Sequence, residues 1–580
     1  MAEARKLDLT FLTAEAARII EARLEHLAAD RFAERLGRHD TTLWGDDPQR
    51  QKVAGNRLGW LDSPAAMRAE TGTLREFAAG VAAEGFTHAV LLGMGGSSLA
   101  PEVLRLTFPA RPGALELAVL DNTSPEAVRA VAATHDPART LFVVSSKSGN
   151  TLEVASFERH FFAWVRAAPG AEAGRAFVAV TDPGTPLAAL AARRGYRRVF
   201  QNPPDIGGRY SALSYFGLVP AALIGVDLDA LLDRAVEEVQ AGISPGAAKK
   251  NFGLELGATL GELARNGRDK VTFVLGPEIA AFGSWAEQLL AESTGKDGKG
   301  LVPIAEETLA GAEVYGRDRV FVAVSAAPLA EETVAQLTAL EQGGHPVLRW
   351  RDPSLAHLGA EFVRWEIATA TASAVLNVNP FDEPNVTEAK QATAAVLERY
   401  LAEGGFPDPE PLASGRHLRV EAPADVAQAM GGKPEGEDPA AWIGSLLALG
   451  RPGDYFAICA YLHRTPERHA RLQRLRHTAR AATRLATTLG YGPRFLHSTG
   501  QLHKGGPNTG VFLQLTADEG EDLPIPEEPY GFGALRWAQA AGDYEVLAKR
   551  GRRVMRIHLD SAIEGGLDRL IEAVGAVART

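Results

Sequence analysis

Leu141-Phe142-Val143-Val144-Ser145-Ser146-Lys147-Ser148-Gly149-Asn150-Thr151 opens as a short apolar strand and ends as a loop of hydroxyls, one lysine and one glycine. An apolar run of this length that passes at once into helix-start residues is how a buried parallel strand delivers a polar loop to the edge of its sheet. The same grammar recurs on both sides. Residues 89–92, 117–120 and 176–180 are apolar runs alternating with helical segments, and with 141–144 they describe a doubly wound parallel sheet covered by helices. A second set at 271–275, 320–324 and 346–348 closes with helices near 361–376 and 386–401. The fold class is α/β, with two doubly wound domains.

At 580 residues the chain is too long for one core, and about one domain per 150 residues suggests three or four units. A helical, peripheral N-terminal arm is expected over 1–60, a first α/β domain over 61–230 and a second over 231–401. The Gly- and Pro-dense stretch 402–415 reads as a linker. Beyond it, 416–580 reads as an additional α/β segment, with strands at 455–461, 511–515 and 554–559 and a helix at 533–550. With 46% hydrophobic and 23% charged residues the composition is that of a globular protein. No run approaches the ~20 apolar residues of a membrane span. The N-terminus has no apolar signal core, so a cytoplasmic location is expected. Sixty-one basic against 72 acidic side chains give a net charge of −11, which argues against a nucleic-acid partner. The single cysteine, Cys459, lies in the apolar run 455–461 and reads as a buried structural thiol.

Two loops point to an anion. Gly93-Met94-Gly95-Gly96-Ser97-Ser98 follows the strand at 89–92; it suits a tight strand-to-helix turn, a phosphate cradle, or a dinucleotide fingerprint with Asp121 at the next strand end. Ser98 stands where the fingerprint's third glycine belongs. In the second loop, Ser146, Ser148 and Thr151 with Lys147 at a helix start make a compact dianion site, more than one N-cap requires. No nucleotide-hydrolysing P-loop pattern occurs.

Gly95-Gly96-Ser97, the loop 145–151, Gly207-Gly208-Arg209-Tyr210-Ser211, Glu292-Ser293-Thr294-Gly295-Lys296 and the stretch 379–390 (NPFDEPNVTEAK) together resemble the phosphoglucose isomerase family in order and context. The resemblance covers roughly residues 60 to 400, and the five motifs jointly are specific. Residues 496–506 (LHSTGQLHKGG) resemble the isomerase half of fused transaldolase and phosphoglucose isomerase proteins, although no stretch remains for a transaldolase barrel. The resemblance implies two sugar-isomerase (SIS-type) domains and reversible, cofactor-free isomerisation of glucose 6-phosphate and fructose 6-phosphate through a cis-enediol. A homodimer is expected, with a hexose phosphate as the small-molecule partner and no membrane partner.

Moving a carbonyl between C1 and C2 requires a base that takes a weakly acidic proton from one carbon and returns it to the other. Glu292, between an apolar helix at 279–291 and the Gly-rich 293–300, resembles the family's base; out of context it is a solvated helix-end glutamate. Its place at a helix C-terminus disfavours its negative charge and raises its proton affinity. Arg209 is a fixed cation able to stabilise the enediolate oxygen, or else a surface ion-pair partner. Gln288 lies one turn before Glu292 and looks like a ligand for substrate hydroxyls. Gly95, Gly96, Ser97, Ser146, Lys147, Ser148 and Thr151 are the remaining expected substrate-binding residues.

Sugar phosphates are mainly cyclic, so a second acid/base set must open the ring. Lys390 matches the family's ring-opening lysine, and His497 matches its histidine, with His503 a neighbouring candidate. No Cys or carboxylate cluster near these histidines completes a ligand set, so no metal is expected. The histidine follows Lys390 by about a hundred residues, whereas in ordinary members it lies between the glutamate and the lysine. The C-terminal region must therefore fold back, or a partner subunit must supply it. Two other functions compete: a non-catalytic sugar-phosphate-binding regulator, which needs only the loops, and a nicotinamide-dependent enzyme built on residues 93–98.

Overall fold

Strands β1 (His88–Leu92), β2 (Glu116–Leu120), β3 (Thr140–Ser145), β4 (Phe177–Thr181) and β5 (Arg198–Gln201) form an all-parallel sheet in the order β2-β1-β3-β4-β5. The whole of β3 is buried, as expected of a strand covered by helices on both faces. A second parallel sheet, β7-β6-β8-β9, comprises β6 (Lys270–Leu275), β7 (Val302–Ile304), β8 (Arg319–Ser325) and β9 (Val347–Arg351). The computed structural model describes residues 13–577 except 171, 245–250, 408–409, 416, 432–437 and 519. The N-terminal segment read for a signal sequence and residue 416, the expected start of the third segment, lie outside the described residues. Among the described residues no helix is long and apolar enough to cross a membrane.

The C-terminal segment builds a third sheet. It comprises β10 (Ala413–Gly415), β11 (Leu418–Glu421), β12 (Tyr455–Tyr461), β13 (Ala486–Tyr491), β14 (Gly510–Ala517) and β15 (Arg553–Leu559), in the order β10-β11-β15-β14-β12-β13. Strands β12 to β15 are parallel, and the β10–β11 hairpin joins antiparallel to β15. The Gly/Pro-dense stretch 402–415 is thus not all linker: the helix Pro384–Glu403 runs into it and β10 ends it.

The N-terminal arm is not peripheral in its packing. Leu27, Phe32, Leu36 and Trp44 join the core shared by the first two sheets, and the Trp44 indole donates to the Ala370 carbonyl at 2.9 Å. The third unit is seated on both domains. Ala291, Val302 and Ile304 of the second domain share a core with Tyr455, Cys459, Phe495 and Phe512. On the other side Phe532, Leu535 and Ala538 of the helix Phe532–Lys549 pack against Val154, Phe157 and Phe161 on the first domain's helix Leu152–Arg166. The Phe157 and Phe532 rings stack at 5.9 Å, and burying each contributes about 1.5–3 kcal/mol. Buried Arg476, on the helix Pro466–Thr483, closes the seam by donating to the Ala305 carbonyl at 2.8 Å and to Thr487.

These contacts decide where the site lies. In the first sheet the strand order reverses between β1 and β3, paired as Leu92 beside Val144, so the loops 93–98 and 145–151 leave the sheet side by side at its topological switch point.

Candidate active site

Glu292 lies in the last turn of the helix Phe282–Thr294, whose Phe282, Trp285, Leu289 and Leu290 are buried and fix its rotation. Glu292 is 7% exposed. Gln288, one turn earlier, donates from Nε2 to Glu292 Oε2 at 3.1 Å and to the His497 carbonyl at 2.8 Å; its buried Oε1 has no protein partner. Arg209 faces Glu292 with Nη1 3.6 Å from Oε2 and 3.2 Å from Glu383 Oε2. Its other donors are spent on Ser293 Oγ at 2.9 Å and the carbonyls of Pro380 and Asp382 at 2.6 and 3.0 Å, so the cation is held rigidly. Burial pushes the Glu292 carboxyl above the ordinary carboxylate value against the pull of Arg209, and Glu383 adds to the rise. Lys296 braces the loop behind by donating to the Asp382 carbonyl at 2.5 Å and Oδ1 at 2.7 Å.

The C-terminal region folds back within the same chain. His497 ends the helical turn Arg494–His497 after β13, and its Nε2 meets Glu153 Oε1 at 2.9 Å. Burial alone raises the Glu153 carboxyl, but His497 and, more weakly, Lys390 hold it below the ordinary value. Lys390 is exposed on the helix Pro384–Glu403 and lies close enough for its charge to reach Glu153. Gln501 latches this arrangement together: its Oε1 accepts from the Asn385 amide at 2.9 Å and its Nε2 donates to the Gly295 carbonyl at 3.0 Å. His503, six residues beyond His497, is elsewhere. It is buried among Tyr455, Phe495 and Phe512, its Nδ1 has no hydrogen-bond partner, and burial pushes the imidazole well below its ordinary value.

Two glycines make the closure possible. At Gly95, with φ +55°, a Cβ would come within 2.9 Å of the His497 Cβ and carbonyl, and at Gly96 within 2.0 Å of the Gly208 carbonyl. Those neighbours leave no room for a side chain at either position, and Asp121, buried, pairs with Ser98 Oγ at 3.1 Å and Arg494 at 3.3 Å. Ser97 is buried beside them, and its carbonyl accepts from Ser145 Oγ at 3.3 Å. In the neighbouring loop Ser146 and Thr151 hydroxyls lie 3.0 Å apart, Ser146 Oγ also accepts from the Gly149 amide at 3.1 Å, and Ser148 donates to Asn150 at 2.6 Å. Lys147 points away from these hydroxyls, its ammonium donating to Asp182 and to the Pro204 carbonyl at 3.0 Å.

The structure therefore brings Glu292, Gln288, Arg209, Gly95, Gly96 and His497 together, with Lys390 close to Glu153, and leaves His503 in the core. Sequence reasoning missed Glu153, although an acid two residues past Thr151 in a helix's first turn was a usable signal. It also missed Glu383, Ser293, Gln501 and Gln539, whose contacts are long-range.

The phosphoglucose isomerase family model matches residues 65–308. Among curated proteins the chain is similar to glucose-6-phosphate isomerase of Thermus thermophilus, 36% identical over 272 residues that make up 46% of this chain and 63% of the relative. It is also similar to that of Rubrobacter xylanophilus, 31% identical over 380 residues, 56% of this chain and 85% of the relative. The chain thus spans less than two thirds of the Thermus relative and most of the Rubrobacter one. A crystal structure of a hypothetical protein from Thermus thermophilus superposes with a TM-score of 0.55 at 27% identity, covering 68% of this chain and 99% of that one. A glucose-6-phosphate isomerase structure from Chlamydia trachomatis shares the fold at 20% identity, TM-score 0.53, over 67% of this chain and 87% of that one.

Proposed function

The chain belongs to the phosphoglucose isomerase family, and from that premise we propose that it interconverts glucose 6-phosphate and fructose 6-phosphate by aldose–ketose isomerisation. The observation that carries this reading is the convergence of the Glu292–Gln288–Arg209 cluster and the His497–Glu153 pair within one chain. From the open-chain aldose Glu292 takes the C2 proton as O1 gains one, giving the cis-enediol. It then delivers a proton to C1 while O2 gives one up, leaving the ketose. Arg209 stabilises the oxygen that carries negative charge on the way, and its fixed geometry needs no reorganisation. A base for a carbon acid gains from a raised pKa, which burial gives Glu292.

His497, held by Glu153, and Lys390 open the ring: one removes the anomeric hydroxyl proton and the other protonates the ring oxygen. Gly95, Gly96, Ser97, Ser146, Ser148 and Thr151 hold the phosphate with hydroxyls and backbone amides, Lys147 bracing their loop through Asp182, and Gln288 Oε1 accepts from a substrate hydroxyl. We take 61–230 and 231–401 as the sugar-isomerase domains, 1–60 as their arm and 416–580 as an additional α/β segment, within which 496–506 resembles the isomerase half of fused transaldolase and phosphoglucose isomerase proteins. A cytoplasmic homodimer without a nucleic-acid partner completes the reading. The test is conversion of fructose 6-phosphate by purified protein with no added metal, glucose 6-phosphate being the expected product; saturable binding without turnover would instead make the chain a sugar-phosphate-binding regulator.

A further inference from the structure

A hydrogen-bonded chain crosses from the third unit into the first domain behind the ring-opening pair. Gln539, on the helix Phe532–Lys549, is 2% exposed, and both ends of its amide are engaged. Its Nε2 donates to Glu153 Oε1 at 2.7 Å, the same oxygen that meets His497 Nε2 at 2.9 Å. Its Oε1 accepts from the buried Thr123 Oγ1 at 3.0 Å. Chemistry forces this orientation. An ionised carboxylate only accepts, so the amide nitrogen must face Glu153, the amide oxygen must face Thr123, and the Thr123 hydroxyl must donate.

The helix that carries Gln539 cannot drift, because its Phe532, Leu535 and Ala538 pack on the helix that carries Glu153. The other charged groups facing the pair come from separate elements: Lys390 reaches Glu153, and Glu292, itself beside Arg209, reaches His497. None of these bonds Glu153 Oε1. We infer that Gln539 is a positioning residue for ring opening: it holds Glu153 in one orientation so that His497 meets the ring at a fixed angle, and Thr123 sets the Gln539 amide. The third unit then contributes two links to the ring-opening machinery, His497 itself and the clamp on its partner carboxylate.

This inference rests on the isomerase reading, and its test separates the two. The full chain carrying Gln539→Leu, Gln539→Glu, Thr123→Val or Thr123→Ser is assayed with fructose 6-phosphate and with 5-deoxyfructose 6-phosphate, which lacks the ring-closing hydroxyl and stays open. Gln539→Leu should cut kcat/KM for fructose 6-phosphate about tenfold or more, the usual scale for losing an orienting partner, and Thr123→Val about threefold. Thr123→Ser keeps the hydroxyl and should match wild type within about twofold, and all four variants should turn over the open analogue at near wild-type rates. Gln539→Glu places a second carboxylate against Glu153, which raises the pair's proton affinity and moves the acidic limb for the cyclic substrate up by about one pH unit. The His497 imidazole resonances, which sense that protonation without turnover, should move their inflection upward with it. Parallel losses on both substrates with an unmoved pH profile, or a His497 titration indifferent to Gln539→Glu, would overturn the role. A wild-type protein inert toward both sugars would sink the isomerase reading, while the histidine titration would still decide the fate of Gln539.

Discussion

The two halves of the site are built to different standards. Around Glu292, both Arg209 and Gln288 are buried and multiply tied: Arg209 has donors on Ser293, Pro380 and Asp382, and Gln288 bridges Glu292 to the His497 backbone. Around His497 and Lys390, proposed to open the ring, the His497 side chain keeps 15% of its surface exposed and Lys390 stands on an exposed helix face. The chemistry explains the contrast. Removing a proton from carbon needs a base strengthened by desolvation and a cation already in place, because neither can reorganise during the step. Ring opening moves protons between oxygen and nitrogen, where transfer is easy, and closing the product ring returns each proton to its donor, so it needs less desolvation of its acid and base. The tight half should therefore be intolerant of any change, and the open half should be bypassed by a substrate that has no ring.

Glu292→Gln should produce the largest effect, a loss of about a thousandfold or more in kcat on both cyclic and open-chain substrates, since both need the carbon proton moved. His497→Ala should cost about a hundredfold on fructose 6-phosphate yet leave most activity on the open analogue; equal losses on the two would erase the division into halves. Replacing Ser146, Ser148 and Thr151 together by alanine should raise KM about tenfold with kcat nearly unchanged, measured by steady-state kinetics. His503→Phe should be the smallest perturbation, leaving both activities intact. It also carries a pH signature. The His503 pKa is depressed by burial below its ordinary 6.5, so the unfolded chain binds the extra proton and wild-type stability falls as pH drops below that value, by at most about 1.4 kcal/mol per pH unit from this group. Denaturant melts between pH 7 and 5 should show a shallower decline for the variant.

The same division governs what could be read from the chain. The strands at 141–144 and 271–275 were legible because a strand covered on both faces is an unbroken apolar run, and Glu292 and Arg209 could be singled out as candidates because their motifs are local. Edge strand β13, Ala-Thr-Thr-Leu-Gly-Tyr, is only half buried toward its end and carries no such run. The helix Pro466–Thr483 was hidden for the opposite reason: its buried Arg476 and Arg480 mask the apolar stripe, and their partners, the Ala305 and Thr308 carbonyls, lie more than 170 residues away in the chain. His497 and His503 share a short neighbourhood, and only the fold decides that one meets Glu153 while the other is packed among rings. Gln539 gave no local signal, because its meaning lies in a carboxylate 386 residues earlier.

The proposal that one chain carries a complete proton-transfer site rests most heavily on Glu292 as its base. Its most direct test follows fructose 6-phosphate by NMR in deuterated water with wild-type protein and with Glu292→Gln. Wild type should form glucose 6-phosphate carrying solvent deuterium at C2, and the variant should neither isomerise nor exchange. Glucose 6-phosphate formed at a near wild-type rate by Glu292→Gln, or none formed by wild type, would contradict it.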